Sequence, residues 1–172
     1  MTDEEKLKLY YAFAGQYISI AAECENYINL LLLSSKRGFE LKQLQSSQYQ
    51  LGRKIEELKT TITPSEGYCP PKFTLALDDE RDLNWELGTM RKRRNYLAHG
   101  VIRIDADCIQ VMQIGEVFSE EAAFGSNDEI AFPFKKYGDY IKEIKRTHQY
   151  LMKLYNANRI PVDKLLRFYN KI

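Results

Sequence analysis

At 172 residues, with 44% hydrophobic and 28% charged side chains, the chain has the composition of one soluble globular domain able to take about 70% of its unfolded surface out of water. Its three cysteines, Cys24, Cys69 and Cys108, are odd in number and widely spaced, and it has only two histidines, which argues against a disulfide framework, a zinc knuckle or a His-rich metal centre. No apolar run approaches the roughly 18 residues that span a bilayer and residues 1–6 lack the basic start of a signal peptide, so a cytoplasmic protein without a membrane partner is expected.

The formal net charge of +1 hides an asymmetry. From Pro133 onward ten Lys/Arg face three Asp/Glu, while the preceding part carries fifteen against twenty-one. A basic C-terminal portion fits a nucleic-acid surface as well as a solvated helix face.

The first helix is predicted from Asp3 to Leu33. Leu7, Tyr11, Ala14, Ile18, Ala21, Ile28 and Leu31 form one apolar row, and Tyr10, Phe13, Tyr17, Ile20, Cys24 and Tyr27 a second. A stripe that wide has two sides to bury, one in the core and one against a second copy of the chain, unless the core absorbs both. Glu23 and Glu25 interrupt the rows and read as surface charges, and an acid facing the later Arg cluster is worth seeking.

Ser34 to Gly38 closes this helix, and Phe39 to Gln48 is ambiguous, with room for a short helix. A second helix runs from about Gln48 to Thr61 on Leu51, Ile55, Leu58 and Ile62. Thr63 to Pro71, with two adjacent prolines and a glycine, breaks it without separating domains.

The third helix is expected from Leu77 to His99, opening on Asp78, Asp79 and Glu80 and closing on Arg91, Lys92, Arg93 and Arg94, charges that suit the dipole at each end. Leu83, Leu87, Met90, Arg94 and Leu97 recur at three- and four-residue steps, which sets a guanidinium on the apolar stripe. Such a group needs a partner surface, an anion or a wet cleft. Asn95 and His99, four apart, share the adjacent face. Gly100 stops the helix and leaves His99 among unpaired carbonyls that favour its charged form. An Arg suited to phosphate beside a proton-trading His is a minimal kit for cutting RNA without metal. The plain alternative is a helix end made basic for its dipole alone.

Val101–Ile104 and Cys108–Ile114, around Asp105, Ala106 and Asp107, read as a small β-hairpin that fixes the mouth of the site, and Glu116 to Asn127 as a loop. A fourth helix spans Phe134 to Asn156, with Tyr137, Ile141, Ile144, His148, Leu151 and Tyr155 on its stripe and Lys135, Lys142, Lys145, Arg146 and Lys153 mostly off it. His148 therefore reads as a satisfied core histidine, with a second catalytic base as the alternative. Residues 158–172 are expected to form an amphipathic tail, and through the fourth helix and this tail Tyr and Lys/Arg interleave, as in stacking platforms for single-stranded bases and in many ordinary helices.

The run Arg94, Asn95, Tyr96, Leu97, Ala98, His99, Gly100 resembles the Arg-x4-His signature of the HEPN superfamily, in which the residue after the Arg is commonly Asn, Asp or His. The resemblance implies a mainly α fold, an antiparallel helical bundle with a small hairpin after the third long helix. It covers residues 1–157 of a single 1–172 domain, though only 94–100 are specific. It further implies a homodimer in whose cleft Arg94 and His99 of both copies act, with Asn95 orienting the imidazole, as a metal- and cofactor-independent endoribonuclease on single-stranded RNA. Arg91, Lys92 and Arg93 then bind substrate. Toxins and defence effectors of this kind work with an antitoxin or other regulatory partner. Toxin members silenced by a nucleotidyltransferase carry Tyr where this chain has Val101, so that control is not implied here. Many family members instead serve as non-catalytic dimerisation or nucleotide/RNA-binding modules, which is the rival function.

Overall fold

A computed structural model describes residues 1–34, 39–46, 50–62, 83–113 and 129–157. In chain order it contains α1 (Asp3–Ser34), the single turn α2 (Leu41–Leu44), α3 (Leu51–Ile62), α4 (Leu83–His99), β1 (Gly100–Ile104), β2 (Cys108–Gln113), β3 (Glu129–Pro133), a 3-10 turn (Phe134–Lys136) and α5 (Tyr137–Ala157). The protein is mainly helical with one small antiparallel sheet. The expected start of the third helix at Leu77, the 116–127 loop, the Thr63–Pro71 break, Cys69 and the 158–172 tail lie outside the described residues. No helix among the described residues is long and apolar enough to cross a membrane.

The chain forms two compact units, Met1–Ala22 with Thr89–Arg146, and Glu23–Gly88 with Thr147–Ile172.

In the first unit α1 begins with a reciprocal cap. The Thr2 amide donates to Glu5 Oε2 at 2.7 Å and the Glu5 amide to Thr2 Oγ1 at 3.3 Å, so two amides that the first turn leaves orphaned gain acceptors. The Glu5 carboxyl is held below its usual range chiefly by the Thr2 amide. Tyr10, Phe13, Ala14, Tyr17 and Ala21 are buried, whereas Leu9 and Tyr11 remain exposed. Phe13 is the hub, stacked on Tyr137 at 4.1 Å and 16° and tilted against Phe132 at 5.9 Å and Tyr140 at 6.1 Å. Each such pair contributes about 1 kcal/mol beyond the area it buries.

The predicted hairpin is present, with Gly100 opposite Gln113 and Ile104 opposite Ile109, but β3 makes it a three-stranded sheet of order β1-β2-β3. Ile109 faces Phe132 across β2 and β3, and both are buried with Val111 on the face that Phe13 reaches. The third strand and its cover supply the support a lone hairpin lacks. Pro133 ends the edge strand, where its missing N–H costs no ladder bond. The β1–β2 turn is closed by Asp105 N–H donating to the Cys108 carbonyl at 3.0 Å and tied to α1 by Lys6 Nζ donating to the Asp105 carbonyl at 3.1 Å.

In the second unit Cys24, Ile28, Leu31 and Leu32 of α1, Leu44, Leu51, Ile55 and Leu58 of α2 and α3, Leu83 and Leu87 of α4, and Leu151 and Leu154 of α5 are buried. Burial pushes the Cys24 thiol up to about 12, which keeps it protonated and unreactive. Glu25 is more than the surface charge its sequence context suggests: it accepts from Lys54 Nζ at 2.5 Å, and Lys54 is only 5% exposed. A buried ammonium requires such a partner. Glu23 also has a partner, since His148 Nε2 lies 3.2 Å from its Oε2 with the imidazole edge-on to Tyr27 at 5.3 Å. His148 is thus half-buried on the apolar stripe with one nitrogen engaged.

Candidate functional site

The motif occupies the last two turns of α4 and the first residue of β1. Leu83, Leu87, Met90 and Leu97 of the expected stripe are buried, and Tyr96 joins them at 2% exposure. Arg94 is half-buried, as its place on the stripe requires, and its Nη1 donates to Asn95 Oδ1 at 3.1 Å. A neutral amide oxygen satisfies one of the five guanidinium donors and neutralises none of its charge. His99 is exposed and has no hydrogen-bond or ion-pair partner among the described residues. The Asn95 oxygen is therefore turned to Arg94 rather than to the imidazole it was expected to orient. At about 100° per residue, Arg94 and His99 point roughly 140° apart, so the structure brings Arg94 and Asn95 together and leaves His99 on another side of α4.

The four consecutive cations have different fates. Arg91 and Lys92 are exposed, and Lys92 Nζ sits 6.0 Å from the ring of Tyr96 one turn on. Arg93 turns inward: its Nη1 meets Glu143 Oε2 at 2.5 Å and its guanidinium lies 4.3 Å over the ring of Tyr140. Burial works against its charge, but the hydrogen bond and negative charge of Glu143 and the Tyr17 hydroxyl prevail and hold the guanidinium above its ordinary range. Arg93, grouped by sequence with the substrate-binding residues, fastens α4 to α5. Glu143 is the acid facing the Arg cluster. The sequence held no signal for that pairing across fifty residues, whereas the four-residue spacing of Lys92 and Tyr96 was there to read.

Gly100 joins helix to strand with no intervening residue. The sequence suggests a helix-stopping glycine, but its φ lies outside the left-handed region and the requirement is space. A Cβ here would collide with the Val111 side chain and sit 2.7 Å from the Tyr96 carbonyl oxygen and 2.9 Å from that of Met112. The crowding fixes where His99, one residue earlier, enters solvent.

Among the described residues no three His, Cys, Asp or Glu side chains gather as a metal site would require. Chemically, the end of α4 offers a half-buried guanidinium, two exposed cations and an exposed imidazole, groups of the kind that can bind phosphate and transfer protons. Comparison with family models, curated proteins and solved structures finds no match.

Proposed function

We propose that this chain is a metal-independent endoribonuclease of HEPN type that acts on single-stranded RNA as a homodimer, in the manner of a toxin or defence effector. The observation that carries the reading is the exposed His99 at the end of α4, next to a half-buried Arg94 whose only protein acceptor among the described residues is a neutral amide. In the reaction the ribose 2′-oxygen attacks the adjacent phosphorus and the P–O5′ bond breaks, leaving a 2′,3′-cyclic phosphate and a 5′-hydroxyl. One His99 takes the 2′-OH proton, the partner subunit's His99 gives a proton to the departing oxygen, and Arg94 stabilises the charge on the pentacovalent phosphate.

Two copies resolve the divergence of Arg94 and His99, since one protomer supplies the guanidinium where the other supplies the imidazole. Leu9, Tyr11 and Val101, large apolar side chains between 42% and 60% exposed, support a second copy covering this unit. Light scattering across micromolar concentrations should therefore give twice the chain mass of 20.2 kDa. A particle of one chain mass throughout that range counts against the dimer and the shared site together.

The test of the function is labelled single-stranded RNA incubated with the purified protein and its His99→Ala variant, with product ends analysed for the cyclic phosphate. Cleavage should persist in excess EDTA, because proton transfer and charge stabilisation come from side chains. Activity lost in chelator and restored by magnesium overturns the mechanism. Binding without cutting by the wild type assigns the chain to the non-catalytic RNA-binding modules.

A further inference from the structure

Guanidinium groups in the first unit are held in different ways. Arg93 meets the Glu143 carboxylate, and Arg103 meets those of Asp105 and Glu129, so both charges are matched inside the chain. Arg94 is held instead by a neutral oxygen, its Nη1 donating to Asn95 Oδ1 at 3.1 Å. That bond fixes the direction of the planar fork and leaves its charge for an external anion. A carboxylate in the same place would quench the charge, and an alkyl side chain would leave the fork free to rotate.

The setting of the pair on α4 adds to this. Leu87, Met90 and Leu97 share the face of Arg94 by helical spacing and are buried, while Arg94 is half-buried, as when an apolar stem follows the stripe and the charged head leaves it. Around the helix Asn95 points about 100° from Arg94, and His99 about 40° beyond Asn95 in the same sense. A guanidinium drawn to the Asn95 oxygen is therefore drawn toward the sector of α4 that carries His99.

We propose that Asn95 is the positioning residue of Arg94, setting its uncompensated guanidinium to receive a phosphate of the RNA strand. This is a different role from orienting the imidazole. It rests on the nuclease reading of α4 for the identity of the anion, but it is testable without cleavage. Because Asn95 orders the fork beforehand, less rotamer freedom is lost when the phosphate binds.

The experiment uses the full chain carrying His99→Ala, so that the RNA stays intact and no imidazole is left for Asn95 to orient. Anisotropy of a fluorescein-labelled oligouridylate is followed from about 50 to about 200 mM salt. Asn95→Ala should weaken binding about two- to tenfold, the cost of ordering one long side chain, and leave the slope of log affinity against log salt unchanged. Asn95→Asp keeps the acceptor but matches the Arg94 charge, and should make the slope shallower by about 0.7, one phosphate contact on a single strand. With Arg94→Ala already in place, Asn95→Ala should cost nothing further, whereas a merely structural loss would persist. Additive losses, or unchanged affinity in Asn95→Ala, overturn the proposal. So does a displaced pH maximum of cleavage when Asn95→Ala is made in the chain that retains His99, since that marks a role at the imidazole. Coupled losses without wild-type cleavage keep the positioning role and remove the nuclease; wild-type cleavage with additive losses does the reverse.

Discussion

His99→Ala should abolish RNA cleavage while leaving RNA affinity nearly intact, whereas Arg94→Ala should weaken both. A positioned proton-transfer group contributes about 10²–10⁴-fold to rate, so removal of the imidazole takes cleavage down by at least that range. His99 is exposed, and its loss opens no cavity and strands no partner. Arg94 differs because its guanidinium contacts phosphate in the ground state and in the transition state, and its loss is felt in affinity as well as rate. Both variants should keep the mass of the wild-type particle in light scattering. With one imidazole as base and the partner subunit's His99 as acid, wild-type activity should fall on both sides of a pH maximum. Equal cleavage by wild type and His99→Ala would remove the nuclease assignment from this motif.

Gly100→Ala is expected to be severe for a single methyl group. The added carbon meets the Val111 side chain and, within 2.9 Å, two backbone carbonyl oxygens, and backbone cannot turn aside as a flexible side chain can. Overpacking of this kind costs about 3 kcal/mol, the upper part of its usual range. For a chain of this length that lowers the melting temperature by roughly 6–12 °C. Relief requires α4 to move away from β2, so cleavage should fall even below the melting transition, when the exposed His99 is displaced with the helix end. Calorimetry showing an unchanged melting temperature would mean that the junction has slack and that Gly100 does not fix His99.

The parts of the fold that sequence revealed are those built on local periodicity. α1, α3, α4 and α5 announce themselves by apolar side chains at three- and four-residue steps, and the hairpin by two β-rich arms about Asp105–Asp107. β3 went unread because a five-residue run ending in proline carries little signal of its own; it becomes a strand through its pairing with β2. The same limit applies to the basic cluster. Arg91 to Arg94 are equivalent as letters, and neighbouring residues differ by about 100° in direction, so their fates depend on where α5 sets Glu143 and Tyr140. Arg94 shows the opposite case, since its half-burial follows from its place among Leu87, Met90 and Leu97. Thr2 and Glu5 have the spacing of a reciprocal cap, a local signal that went unread.

The direct passage of α4 into β1 also determines how torque travels. A loop between helix and strand would let α4 turn about its axis as a free shaft, and a ligand at His99 could reorient it locally. Here no residue is available to absorb such a rotation, and the first residue of the strand is wedged against Val111 and the Tyr96 carbonyl. Any twist of α4 is handed to β1, which has five residues laddered onto β2 and, among the described residues, no strand on its other side. Helix and strand behave as crank and arm, so what seizes the end of α4 is felt along β1.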